Sequence, residues 1–185
     1  LGNAAARLLS LAESDDAGFA RQCEQDRRHL AAIRAARAAT AEAYFARHAE
    51  EWDTLRNLHS PDAPVEQALT DALKRCAGQE GLGAVLDVGT GTGRIAELVA
   101  AIATRVTAFD RSPDMLRLAR TRLQELPADL VDLVQGDFTA LPFDAAAFDT
   151  VVFHQVLHYA QEPAAVLSEA ARVTRPGGRI AIVDF

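Results

Sequence analysis

Asp87, Gly89, Gly91 and Gly93 fall together in the stretch VLDVGTGTGR, Val85 to Arg94. Glycine loses more conformational freedom on folding than any other residue. Three glycines in five positions therefore point to a backbone geometry, or a closeness of approach, that side chains would block. A glycine-rich turn from strand to helix leaves N–H groups at the helix start, and these bind anionic groups such as a phosphate or a carboxylate. Asp110 closes a second apolar run, VTAFD, 21 residues after Gly89. A carboxylate in that position can accept both hydroxyls of a ribose. Asp137 closes a third, LVQGDF. It can accept from an exocyclic amine, while Phe138 offers its backbone N–H and an apolar face.

The glycine spacing separates two ligand classes. A dinucleotide site wants G-x-G-x-x-G, but the sixth position from Gly89 is Arg94. The pattern is D-x-G-x-G-x-G, which argues against a nicotinamide cofactor. Two histidines, His154 and His158, bracket HQVLHY after a fourth apolar run and are the candidates for proton transfer. Helix-start hydrogen bonding is the competing role for His158, and packing for His154, so no catalytic residue is assigned. Tyr44 and Trp52, eight apart on an expected helix, suit ordinary packing better than a lid. The only cysteines, Cys23 and Cys76, are far apart, so neither a disulfide scaffold nor a metal site is expected.

These residues need a frame that brings strand ends to one rim. Residues 84–88, 105–109, 131–135, 148–153 and 179–184 are short, β-branched-rich segments alternating with helical stretches. That grammar predicts a parallel sheet covered on both faces, with ligands outside the carboxyl ends of its strands. One connection, Asp137 to Ala147, shows no helix. If the third strand lies at an edge and the fourth beside the first, the path crosses ~14 Å and descends ~17 Å. Ten residues reach roughly 33 Å, so the crossing is feasible. Residues 1–78 carry no strand signals. Asn3 is expected to cap a short helix. Ser14, Asp15 and Asp16 should start a long one running to about residue 59, or two with a bend near Thr40. SPDAP should end it, and Pro64 should open another to about Ala77.

The chain has 185 residues, 49% of them hydrophobic, and a net charge of −7. That suits one core plus an attachment and does not suit a nucleic-acid binder. No apolar run reaches the ~18 residues of a membrane span and no secretory pattern opens the chain. A cytoplasmic location is expected. Leu1 in place of Met, and a last strand that stops at Phe185, lead to the expectation of a piece of a longer protein.

Taken together, VLDVGTGTGR, VTAFDRSPDML, VQGDFTALPFDAAAFDTVVFHQVLHY and EAARVTRPGGRIAIVDF resemble the successive motifs of class I S-adenosylmethionine-dependent methyltransferases. The nearest group is the large one that includes quinone-biosynthesis enzymes. The resemblance covers residues 64–185. It implies a Rossmann-like α/β fold, a doubly wound parallel sheet in the order 3-2-1-4-5, truncated before the last two strands of the family. It implies S-adenosyl-L-methionine as cofactor, S-adenosyl-L-homocysteine as product and a small-molecule acceptor. By that resemblance Asp87 and the loop of Gly89, Thr90, Gly91 and Gly93 hold the methionine end, and Asp110 takes the ribose. Arg111 and Met115 flank the adenine, Asp137 and Phe138 read its edge, and His154 faces the methionine part and the acceptor.

Residues 1–63 form a helical extension. The stretch RHLAAIRAARAATAEAYFARHAEEWDTLRNLH resembles the linker of bacterial proteins that fuse an arsenical-repressor-type winged helix to a methyltransferase domain. This keeps a second reading open, in which the cofactor pocket is the sensor of a transcriptional regulator. Phe19 to Ala39 is expected to form a helix–helix contact, most simply a homodimer, while Tyr44 to Trp52 packs on the methyltransferase domain. An arsenic acceptor is disfavoured, since soft metalloids want clustered thiolates.

Overall fold

Asp16 makes the first corner of the chain. Its carboxylate Oδ1 accepts the N–H groups of Gly18 (2.7 Å) and Phe19 (3.1 Å), the bonds of an N-cap aspartate. Two helices therefore meet there, α1 (Gly2–Asp15) and α2 (Ala17–His48). The computed structural model describes residues 2–52, 54, 62–78 and 81–184. Helix α1 begins at Gly2, so Asn3 lies inside it and not ahead of it as a cap. Thr40 does not divide α2, which is continuous from Ala17 to His48. Its hydroxyl donates to the Ala36 carbonyl one turn back (2.9 Å), the i−4 bond open to a threonine inside a helix. A 3₁₀ turn, Ala49–Glu51, follows α2. The expected continuation to residue 59, and its stop at Ser60 and Pro61, lie outside the described residues.

The chain divides into two compact units, Leu1–Ala43 and Tyr44–Phe185. The division falls inside α2 and not near residue 63. In the first unit, Arg27 reaches back from α2 to Glu13 on α1 (2.9 Å). The side chains of Leu8, Leu9 and Leu11 on α1, and of Leu30 and Ile33 on α2, are exposed.

The second unit contains α3 (Asp62–Ala77) and then alternates strand and helix. Its elements are β1 (Ala84–Val88), α4 (Arg94–Ala100), β2 (Arg105–Asp110), α5 (Pro113–Leu123), β3 (Val131–Gln135), β4 (Phe148–His154), α6 (Pro163–Val173) and β5 (Thr174–Val183). All pairings are parallel and the strand order is β3-β2-β1-β4-β5. This is the parallel sheet expected from the alternation, in the Rossmann-like order that the resemblance implies, and its rim of carboxyl ends holds the residues singled out above.

Successive strand residues point to opposite faces, and the core divides accordingly. Val85, Val106, Ala108 and Val152 pack with Leu69 and Leu73 of α3, Ile95 and Val99 of α4, and Leu123 of α5. Leu86, Val88, Phe109, Val151 and Phe153 pack on the other face with Leu141 and with Val166, Ala170 and Val173 of α6. The β3–β4 crossover, residues 136–147, makes its turns without a helix. Arg172 of α6 holds it by donating to the carbonyls of Phe143 (2.8 Å) and Leu141 (2.9 Å), and Glu169 accepts the Leu141 N–H (2.9 Å). Helix α6 runs straight into β5, which starts at Thr174 and continues through Pro176 and the following glycines, earlier than the expected Arg179, with a register irregularity against β4. Among the described residues no helix is long and apolar enough to cross a membrane.

Candidate functional site

The turn from β1 to α4 sits at the carboxyl end of the central strand. Gly89, Gly91 and Gly93 all take positive φ (72°, 55° and 84°), a region open to glycine and strained for other residues. Their N–H groups are engaged within the protein. Gly89 and Thr90 both donate to the carbonyl of Phe109 on β2 (2.8 and 3.0 Å), and Gly93 donates to the Thr90 carbonyl (2.9 Å). Gly91 donates to Asp110 Oδ2 (2.8 Å). These bonds account for the loop amides of Gly89, Thr90, Gly91 and Gly93 ahead of α4. Three of them, those of Gly89, Thr90 and Gly91, tie the loop to β2. The glycines serve close approach. At Gly93 a Cβ would lie 3.1 Å from both Ala119 Cβ and Leu123 Cδ1 of α5, so its absence lets α4 start hard against α5. At Gly91 the nearest heavy atom to a Cβ would be Trp52 Nε1, 3.9 Å away. The space above Gly91 is open, bordered by an indole.

Asp110 ends β2 and is the best-organised acid of the rim. Its Oδ1 accepts the Ser112 N–H (2.8 Å) and its Oδ2 that of Gly91 (2.8 Å). Burial pushes its pKa up, opposed by the N–H groups of Ser112, Gly91 and Arg111. An ionised carboxylate has about four acceptor sites, so this one keeps capacity for a further donor. That is the chemistry needed to hold a vicinal diol such as a ribose. The next turn is organised by Ser112, which accepts from the Met115 N–H (3.3 Å) as N-cap of α5.

The other residues expected at the site are arranged as follows. Asp87 is buried beneath the loop at 1% exposure, and its Oδ2 accepts the Thr90 hydroxyl at 2.6 Å. It braces the turn from below. Arg111 is exposed beside Asp110, and its carbonyl accepts from the Gln135 side-chain amide (3.1 Å). Met115 is buried in the first turn of α5. Asp137 sits at the β3 end, where its Oδ1 accepts both the N–H (2.8 Å) and the hydroxyl (2.6 Å) of Thr139. Burial raises its pKa, but the two Thr139 bonds and the Arg111 charge outweigh this and leave it below the usual range. Phe138 is half-buried against the second core cluster. His154 is the last residue of β4 and is buried.

Several contributors escaped the sequence reading. Gln155, directly after β4, adopts φ 52° without being glycine. Its N–H bonds to the Val183 carbonyl (2.7 Å). The turn delivers Val156 against Gly89 and leads into a 3₁₀ turn, Leu157–Tyr159. The Tyr159 ring meets Phe45 edge-on (5.1 Å), and Phe45 meets Trp52 in the same way (5.1 Å). Phe45, unremarked among alanines at helical spacing, is thus the centre of an aromatic wall beside the glycine loop. Tyr44, singled out with Trp52, is exposed. Arg94, the residue that breaks the dinucleotide pattern, pairs bidentately with the buried Glu66 of α3 (2.7–3.1 Å) and reaches Glu97 (3.0 Å). Among the described residues no cluster of His, Cys, Asp and Glu could hold a metal ion.

Comparison with known proteins bears on this rim. Residues 86–182 match the family described as "Methyltransferase domain". The demethylmenaquinone methyltransferase of Renibacterium salmoninarum is 37% identical over 117 residues, 63% of this chain and 46% of that protein. The phosphatidylethanolamine N-methyltransferase of Cereibacter sphaeroides is 41% identical over 103 residues, 55% of this chain and 50% of that protein. The chain thus spans about half the length of the curated relatives it matches. The crystal structure of a SAM-dependent methyltransferase from Aquifex aeolicus superposes with a TM-score of 0.60 at 25% identity, covering 72% of each chain.

Proposed function

The chain belongs to the methyltransferase-domain family, and from that premise we propose that it transfers a methyl group from S-adenosylmethionine to a small-molecule acceptor of the quinone-biosynthesis type. S-adenosyl-L-methionine is the cofactor indicated by the family and by the solved relatives. It supplies an electrophilic methyl group on a sulfonium sulfur.

The observation that carries the reading is the bond from Gly91 N–H to Asp110 Oδ2. It fixes a half-buried carboxylate at the mouth of a glycine loop in which Gly89 and Thr90 donate to the Phe109 carbonyl of β2. Such a loop suits a ligand with a ribose diol and no pyrophosphate. In this reading Asp110 holds the ribose hydroxyls. Gly91 leaves room for the ligand, and Asp87 keeps the turn in shape through Thr90. Asp137, Phe138, Arg111 and Met115 border the adenine side, and His154 the methionine side. The demethylmenaquinone enzyme among the relatives supports a quinol-class acceptor.

Titration calorimetry of the protein with S-adenosylhomocysteine and with NAD tests the cofactor. Binding of the first alone is expected. NAD binding, or no heat with S-adenosylhomocysteine, overturns the reading. Methyl transfer to a hydroxyl of a dihydroxyarene of the quinol class tests the acceptor type.

For the Leu1–Ala43 unit we propose a second copy of the chain as partner. Leu8, Leu9 and Leu11 on α1, with Leu30 and Ile33 on α2, present apolar side chains to solvent, and two-fold dimers are the commonest assembly. Sedimentation of the protein with Leu30 and Ile33 both changed to Asp is the test. A dimer that dissociates is expected, and an unchanged dimer or a monomeric wild type overturns it.

A further inference from the structure

At the carboxyl ends of β4 and β5, His158 and Asp184 form a closed pair. The ring Nδ1 of His158 lies 2.6 Å from Asp184 Oδ1. The backbone N–H of the same histidine donates to Asp184 Oδ2 (3.1 Å). One carboxylate therefore fixes both the backbone and the ring of one residue. An ionised carboxylate only accepts, so Nδ1 carries the hydrogen and, in the neutral ring, the lone pair resides on Nε2. This is how an acid sets a histidine tautomer for proton abstraction.

The pair stands on the rim that holds the glycine loop. His158 is two residues beyond Val156, whose side chain abuts Gly89. Its ring stacks at a tilt on Tyr159 (4.0 Å), the first member of the wall that continues through Phe45 to Trp52 and ends over Gly91. Burial, then Tyr44 and Asp184, raise the Tyr159 pKa, so the phenol beside His158 stays neutral. The wall is aromatic, its rings meeting edge to face, and the same edge and face contacts are open to a further aromatic ring.

We propose that His158 is the proton acceptor for a hydroxyarene acceptor, with Asp184 as its positioning residue. This deepens the methyltransferase reading and rests on it. In the step, the acceptor oxygen forms the new O–CH₃ bond as the S–CH₃ bond breaks. The electron pair of the broken bond stays on sulfur, giving the neutral thioether. The hydroxyl proton passes to His158 Nε2. The resulting imidazolium is balanced by the Asp184 carboxylate and later yields its proton to water.

The test uses 4-nitrocatechol, whose phenolate absorbs in the visible, added to the protein saturated with S-adenosylhomocysteine at a pH below the free probe's own pKa. The expected result is a bound phenolate band in the wild type. His158→Gln should lose the band, and Asp184→Asn should weaken it, while calorimetry shows S-adenosylhomocysteine binding retained in both. A histidine with only a structural role would leave the band in place. A band that persists in His158→Gln, or a probe that does not bind to the loaded wild type, overturns the inference and leaves the methyltransferase reading standing. If His158→Gln no longer binds S-adenosylhomocysteine, Asp184→Asn decides alone, an unchanged band overturning the proposal. Failure of the wild type itself to bind S-adenosylhomocysteine overturns both.

Discussion

Val156 occupies the space that a side chain at Gly89 would need: a Cβ there would lie 2.3 Å from Val156 Cγ2 and 2.8 Å from its Cβ. The contact joins the turn after β1 to the turn after β4, two neighbouring strands of the sheet. It also gives Gly89 and Gly91 different duties within one motif. Gly89 is closed in by protein, whereas Gly91 faces open space.

The two glycines are therefore expected to respond differently to alanine. Gly89→Ala adds a strained left-handed residue, about 1–2 kcal/mol, and an overlap with Val156 that costs roughly 1–3 kcal/mol. Its denaturation midpoint should fall clearly. Gly91→Ala bears only the backbone strain, so its stability should fall by about 1–2 kcal/mol. Its affinity for S-adenosylhomocysteine should nevertheless drop at least as far as that of Gly89→Ala. Equal loss of stability in both, by urea denaturation, would count against this division.

Arg94 and Glu66 are predicted to be unequal partners. Glu66 is 5% exposed, while the Arg94 side chain is 37% exposed and also bonds to Glu97. Arg94→Ala leaves a buried carboxylate without its guanidinium, the costly way to break a buried pair, at about 2–4 kcal/mol. Glu66→Gln leaves an arginine that still reaches water and Glu97, and should cost less. Denaturant midpoints of the two variants check the order.

Thr90→Val is predicted to destabilise the loop. It removes the donor that lies 2.6 Å from a carboxylate at 1% exposure. Loss of a hydrogen bond to a charged group costs roughly 1.5–3 kcal/mol. Thr90→Ser keeps the hydroxyl and should recover most of the loss, as read from thermal unfolding.

The sheet was legible in the sequence because its strands are short β-branched runs spaced by helices, and the rim because Asp87, Asp110 and Asp137 close three of those runs. The use of the glycine loop was not legible. Spacing records where glycines stand but not that the Phe109 carbonyl takes two of the loop amides. The tie between Arg94 and Glu66 spans 28 positions and no local pattern. Phe45 lies among alanines at helical spacing, so only tertiary packing against Tyr159 shows its part in the wall. Asp184 read as the tail of a strand, and its partnership with His158 arises from strand register alone. Asn3 failed as a cap because α1 already runs from Gly2.

Asp110 makes the cofactor site sensitive to pH in two opposite senses. Burial lifts its pKa in the folded protein, against the N–H groups of Ser112, Gly91 and Arg111. Between the ordinary carboxylate value and the raised one, the folded state binds more protons than the unfolded chain. The contribution of this group to stability is therefore full below that window and is lost as pH rises through it. A ribose diol donates to the carboxylate and so favours the ionised form. Cofactor binding should weaken as pH falls through the same window, and in that window binding should release protons. Calorimetry with S-adenosylhomocysteine in buffers of different ionisation enthalpy measures that release. Asp110→Asn should abolish it and weaken binding by roughly 1.5–3 kcal/mol, the scale of hydrogen bonds to a charged group. Proton uptake in the wild type, or a release that survives in Asp110→Asn, would assign the coupling to another group.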